Sequence, residues 1–224
     1  MSSLQDRLAS AVQAGQTEEI TRLLQHGAEI TTAVERAATI HGQIPVYRVL
    51  LRHGLPNLNN PLHAAGGHVV AAVTNDRHEL LRYLLDNGAD PDGGCRFEFM
   101  PAVAVAIEEG KGVDVLEVLR EAGAKVGENG LLAMAVGEGR MDVVEWLLDC
   151  GADVDEDVQM SALVPHDKGT ALHVVAETDR VDVLRLLLGR GASSGIRDSD
   201  GKLALDKARE AGQAEMVAVL SSLS

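Results

Sequence analysis

Apolar residues along this chain recur in short stripes at helical spacing, and the stripes are separated by glycine. In the segment GRMDVVEWLLDCGAD, Gly139 to Asp153, the residues Val143, Val144, Leu147 and Leu148 stand at i, i+1, i+4 and i+5, while Asp142, Glu145 and Asp149 fall largely off that stripe. The spacing predicts a helix with one buried face, closed by Gly151. Gly139, ahead of it, predicts a left-handed residue where one helix stops and the chain turns back. A lone helix of this length is marginal in water, so the stripe requires like units stacked against it.

Such units run from one end of the chain to the other. Glycine exits stand at Gly27, Gly54, Gly88, Gly123, Gly151 and Gly191, at intervals of 27, 34, 35, 28 and 40 residues, and EMVAVLSSLS closes the chain without one. Each of the seven striped helices follows a shorter Ala-rich segment, beginning at Leu8, Ala33, His68, Pro101, Leu131, Ala171 and Ala204. The expected fold is an all-α repeat solenoid of stacked antiparallel helix pairs, joined by β-hairpin-like fingers. The expected organisation is a single domain over residues 1–224, with approximate repeats 1–27, 28–54, 55–88, 89–123, 124–151, 152–191 and a capping 192–224.

Two stretches identify the chain as similar to the ankyrin-repeat family. Thr170-Ala171-Leu172-His173-Val174-Val175-Ala176 resembles the family's T-P-L-H-x-A-A opening, and Gly139 to Val154 resembles its G-H-x-E-V-V-x-L-L-L-x-x-G-A-D-V-N run. Asp198-Ser199-Asp200-Gly201 resembles the tip of the hairpin, or finger, between repeats. Asp76, Lys111 and Asp179 depart from the pattern, standing where the glycine after an inner helix is expected. Pro61-Leu62-His63-Ala64 looks like a second opening, but counting back from Gly88 puts the inner helix at His68 to Asn75 and leaves His63 in a finger, exposed. From Pro101 to Ile107, alternating Ala and Val would also suit a strand. The repeat register, with Pro101 in a first turn, favours a helix.

The resemblance implies a module that binds a peptide or protein in a concave groove lined by finger tips and inner helices, and it implies that His173 is hydrogen-bonded to Thr170. The net charge of −14 points away from nucleic acid and anionic membranes and towards neutral or basic partners, although plain solubility also accounts for it. Cys95 and Cys150 are isolated and no His pair has metal-site spacing, so no disulfide, metal or cofactor is expected, and a reducing compartment fits. The opening MSSLQDRLAS lacks an apolar signal core, and no apolar run approaches membrane-spanning length. A monomer in the cytoplasm, or as a second choice the nucleus, is the expectation.

Two fingers stand out. The one over residues 152–169 carries an insertion of seven residues; Asp153, Asp155, Glu156, Asp157 and Asp167 against Lys168 make it acidic, beside apolar Met160, Leu163 and Val164. The other sets Phe97 and Phe99 about Glu98, next to Arg96. Such loops either contact a partner or fold over their own helices. By the resemblance, groove positions include Glu98, Glu108, Glu138, Asp157, Glu177 and Asp200, and the candidate binding set adds Arg96, Phe97, Met160, Leu163 and His166. No nucleophile, phosphate loop or carboxylate pair recurs at a catalytic spacing. His166, beside Asp167, and His63 are the candidates for a general base should the groove and long finger instead enclose a small molecule, as an enzyme or small-molecule binder would.

Overall fold

The structure, a computed structural model, describes residues 3–55, 57–59, 67–93, 100–128, 130–158, 163 and 169–223. Within them lie fourteen helices and no strand. They come in pairs: α1 (Leu4–Gln13) with α2 (Thr17–Gln25), α3 (Thr32–His41) with α4 (Ile44–Arg52), and α5 (His68–Thr74) with α6 (His78–Asp86). Next follow α7 (Ala102–Glu108) with α8 (Val113–Glu121), α9 (Leu131–Gly137) with α10 (Met141–Asp149), α11 (Ala171–Ala176) with α12 (Val181–Gly189), and α13 (Ala204–Glu210) with α14 (Ala214–Ser221). They gather into two compact units, Met1–Ala106 with Asp114–Ala124 and Ile107–Val113 with Lys125–Ser224.

In each unit the first helix of a pair is an inner helix, packed on the inner helix of the next repeat. In the first unit α1 packs on α3 and α3 on α5; in the second, α9 packs on α11 and α11 on α13. Burial on nearly all sides explains their composition, because small side chains let helix axes approach closely. Leu131–Val136 and Ala171–Ala176 are buried without a break. So is Ala102–Ile107, at 1% exposure or less, which is why alternation of Ala and Val there carries no strand signal. The second helices bury one stripe only. In α10 it is Val143, Val144 and Leu147, with Leu148 at its half-buried edge.

Local chemistry sets the helix ends. α1 starts at Leu4, four residues ahead of the expected Leu8, because Ser3 and Asp6 form a capping box: Asp6 N–H donates to Ser3 Oγ at 3.0 Å and Ser3 N–H to Asp6 Oδ2 at 2.9 Å. α5 runs from His68, the placement that the repeat register favours over Pro61-Leu62-His63-Ala64; those four residues, with His63, lie outside the described ones.

The tight turn between paired helices has a feature that glycine spacing alone does not reveal. The residue before the second helix is repeatedly Gln or Arg, and its side chain lies over the turn of the preceding repeat. Arg77 Nε donates to Ile40 O at 2.9 Å, Arg140 Nη2 to Lys111 O at 2.8 Å, Arg180 Nη1 to Val136 O at 2.9 Å, and Gln213 Nε2 to Glu177 O at 3.3 Å. Ile40, Val136 and Glu177 lie at the C-terminal ends of inner helices, where carbonyls have acceptor capacity to spare, and Lys111 lies in the turn itself. The turn glycine makes room for it: a Cβ on Gly139 would stand 2.2 Å from Arg180 Cζ, and one on Gly42 would stand 2.5 Å from Arg77 Cδ.

The three departures at this position resolve differently. Asp76 adopts φ 55°, the one left-handed non-glycine among the described residues, as short polar side chains tolerate. Lys111 does not replace the glycine, because Gly110, at φ 68°, holds the left-handed position one residue earlier. Asp179 needs no left-handed backbone; there Thr178 Oγ1 donates to Val175 O at 2.7 Å and accepts from Arg180 N–H at 3.2 Å, closing the turn.

Candidate functional site

The second unit brings carboxylates to the ends of its inner helices. Glu108 is the last residue of α7, Glu138 caps α9, Glu177 caps α11 and Glu210 ends α13, and all four are exposed. Since α9, α11 and α13 pack in succession, the last three follow one another along one edge of the inner layer. A helix C-terminus carries the negative end of the backbone dipole, so an acidic residue there is disfavoured rather than stabilising. Lysines offset part of this. Lys207 Nζ donates to Glu177 Oε1 at 2.6 Å and Lys202 Nζ to Glu210 Oε2 at 2.6 Å.

Fingers supply the rest of this surface. Asp198 organises the last finger: its Oδ1 accepts the N–H groups of Asp200 at 2.9 Å and Lys202 at 2.8 Å, and Arg197 pairs with Leu203 in an isolated antiparallel bridge. Burial pushes the Asp198 carboxyl up. The N–H groups of Lys202 and Asp200, with Lys207 Nζ 3.8 Å away, more than reverse this and leave it below the usual carboxylate range. Asp200 is exposed at the tip.

The start of the long finger is tied to its neighbours on both sides. Glu156 Oε2 accepts Gly130 N–H at 3.1 Å, Asp155 Oδ1 accepts Ser193 N–H at 2.9 Å, and Val158 is buried, its N–H donated to Gly169 O at 2.8 Å. Asp157 is exposed between these anchors and Leu163 is half-buried. Arg96, Phe97, Glu98, Met160 and His166 lie outside the described residues.

His173 is structural in its geometry. Its Nδ1 accepts Thr170 N–H at 3.1 Å and lies 3.1 Å from Thr170 Oγ1, so the proton sits on Nε2, which donates to Lys202 O at 3.2 Å. With both nitrogens bonded and the ring 1% exposed, it joins the N-terminus of α11 to the last finger. Gly169, at φ 94°, is required beside it, because a Cβ would meet Nδ1 at 2.7 Å.

Sequence reasoning missed a second buried polar group, in the first unit. Tyr47 hydroxyl and His68 Nδ1 are 2.8 Å apart, Thr39 Oγ1 bonds the same hydroxyl, and Thr39 Oγ1 also donates to Glu35 O at 3.0 Å. His68 Nε2 has no hydrogen-bond partner and faces Glu35 Oε2 at 3.7 Å. Burial holds the imidazole neutral, pulling its pKa down to about 4, and pushes the carboxyl of Glu35 and the phenol of Tyr47 up. No spacing in the sequence joins these residues, which meet only when α3, α4 and α5 pack. Their burial makes them a specific core element and not a surface for a ligand.

Comparison with known proteins agrees with this architecture. A family model for ankyrin repeats in three copies matches residues 132–223. Over 72 residues, 32% of the chain, it is 44% identical to the Caenorhabditis elegans E3 ubiquitin-protein ligase hecd-1; it spans only a small part of the curated relatives it matches, 2% in this case. Among solved structures, the ankyrin repeat domain of Bcl-3, of the IkappaB protein family, superposes with a TM-score of 0.78 at 22% identity, covering 94% of this chain and 97% of that one. The human ASB11 ankyrin repeat domain superposes at 0.70 and 21% identity, covering 95% and 96%.

Proposed function

Since the chain belongs to the ankyrin-repeat family, whose domains generally mediate protein–protein interactions, we propose that it is a protein-binding module whose second unit holds a basic segment of a partner. The supporting observation is the row of exposed carboxylates at inner-helix ends, above all Glu138 and Glu177, in positions that the helix dipole disfavours. Residues that weaken the helices they end are better accounted for by what they meet outside. Glu108, Asp157 and Asp200 extend the acidic surface, and Met160 and Leu163 of the long finger supply apolar anchors. The module holds its partner without chemistry of its own, in keeping with a His173 whose two nitrogens are already committed to the backbone.

The partner's Lys or Arg side chains compete with Lys207 for Glu177, so binding exchanges an internal ion pair for an external one. Steering by exposed charge acts on the association rate and is screened beyond about 8 to 10 Å at physiological ionic strength. Surface plasmon resonance with immobilised protein and a Lys- and Arg-rich peptide tests this. Association should slow as salt rises, and Glu138→Gln with Glu177→Gln should slow it further, by about threefold to tenfold. Rates indifferent to both salt and the substitutions would sink the reading.

A further inference from the structure

The first unit carries an opposite feature. Residues 31–86, through the end of α6, hold Arg36, Arg48, Arg52, Arg77 and Arg82 against Glu35, Asp76, Glu79 and Asp86, a slightly positive stretch in a chain of net charge −14. Most arginines elsewhere are neutralised or committed: Arg22 lies 2.8 Å from Glu19, Arg140 2.9 Å from Asp142 and Arg190 2.9 Å from Asp149. Among the described residues, Arg48 and Arg52 have no carboxylate within 4 Å, and both are exposed.

They also face each other. At i and i+4 on α4 the two guanidiniums share one side of the helix, a spacing at which like charges destabilise it. The α4 C-terminus attracts Arg52, the last residue, and the Tyr83 ring holds Arg48 a turn earlier, so neither guanidinium is held by a carboxylate. Opposite them, Tyr83 on α6 and Asn87 at its C-cap repeat the same spacing. Together with Leu51 these side chains line an open cleft of about 470 Å³. Arg48 Cζ lies 5.9 Å from the Tyr83 ring centroid, and Asn87 Nδ2 is fixed by donating to Tyr83 O at 2.7 Å. The result is a cleft in which the Arg48 guanidinium lies over the Tyr83 ring, with Leu51 and Arg52 beside it, an arrangement that suits carboxylates flanking an apolar side chain.

We propose that this cleft between α4 and α6 binds an acidic segment of a partner protein, with carboxylates on Arg48 and Arg52 and an apolar side chain against Leu51. A long polyanion is disfavoured, because nucleic acid or an anionic bilayer would face the acidic remainder of the chain as well. A short acidic stretch can sit on Arg48 and Arg52 and meets far fewer carboxylates, Glu79 and Asp86 of α6 among them. The site is separate from the carboxylates of the second unit and takes a ligand of opposite charge.

Fluorescence anisotropy on the full chain decides, with a labelled peptide of alternating Glu and Leu, its Lys-for-Glu counterpart, a single-stranded oligonucleotide, and phosphatidylserine vesicles. The acidic peptide should bind in a salt-sensitive manner that depends on Arg48 and Arg52, whereas the counterpart, which the carboxylates of the second unit attract, should bind equally well with or without those arginines. Arg48→Gln with Arg52→Gln should weaken binding about tenfold or more. Arg48→Lys with Arg52→Lys, which keeps the charge and loses the planar fork, should weaken it about threefold. The Gln pair should melt no lower than the parent, since it relieves the repulsion; the Lys pair carries the test if it does. Binding of the acidic peptide that survives both double substitutions overturns the proposal. So does a loss of counterpart binding on the arginine substitutions that matches the loss for the acidic peptide, or anionic binding confined to the oligonucleotide or the vesicles.

Discussion

A methyl group on Gly139 would stand 2.2 Å from the Arg180 guanidinium carbon, on a backbone at φ 70° that side chains seldom adopt. Two penalties therefore meet at one residue, and they can be measured apart. Gly151 has φ 88° and nothing within 4 Å of its Cβ position, so Gly151→Ala should show the conformational strain alone, about 1 to 2 kcal/mol. Gly139→Ala should exceed it by about 1 kcal/mol or more in urea melts, because Arg180 must also leave the carbonyls of Val136 and Gly137. In an Arg180→Ala background the excess should vanish, as a double-mutant cycle would show. If Gly139→Ala and Gly151→Ala destabilise equally in the parent chain, the guanidinium is not held over the turn.

At the scale of the helix, energy follows the stripe. Leu147 is 0% exposed on α10, so Leu147→Ala should destabilise by about 2 to 5 kcal/mol, the transfer of its lost atoms plus the cavity left behind. A change within about 0.5 kcal/mol in a denaturant melt would contradict its place in the core. Stripes of this kind are why the fold was legible: period and glycine spacing are local, and they specify the paired helices from α1 to α14. What lies across repeats was not legible. The side chains of Arg77, Arg140 and Arg180 each reach back about 30 to 45 residues, and the junction of Glu35, Tyr47 and His68 joins three helices with no motif between them. The candidate site was partly legible. Acidic residues at inner-helix ends could be counted from the register, but the pairing of Glu177 with Lys207 depends on how α11 packs on α13.

For the molecule as a whole, acid should act on the first unit through one buried imidazole. His68 stays neutral in the fold down to about pH 4, whereas in the unfolded chain it takes a proton near 6.5, so the unfolded state binds more protons between those values. Its contribution is therefore full above pH 6.5 and is lost as pH falls towards 4, at about 1.4 kcal/mol per pH unit. Glu35 acts in the opposite sense: burial raises its pKa, so its contribution is present below its ordinary 4.5 and is lost as pH rises, which offsets the lower end of the His68 loss. Relief of self-repulsion in a −14 chain also opposes the loss, but it is spread over exposed carboxylates and is common to any variant. Comparison with His68→Gln isolates the buried imidazole. The parent should lose about 2 kcal/mol more than His68→Gln between pH 7 and pH 5 in urea melts. Hydrogen exchange should place that loss in α3, α4 and α5, because each repeat leans only on its neighbours. Parallel pH profiles for the two proteins would mean that His68 takes up its proton as readily in the fold as in the unfolded chain, and a parent that gains on His68→Gln as pH falls would mean a buried ion pair with Glu35 in place of a neutral junction.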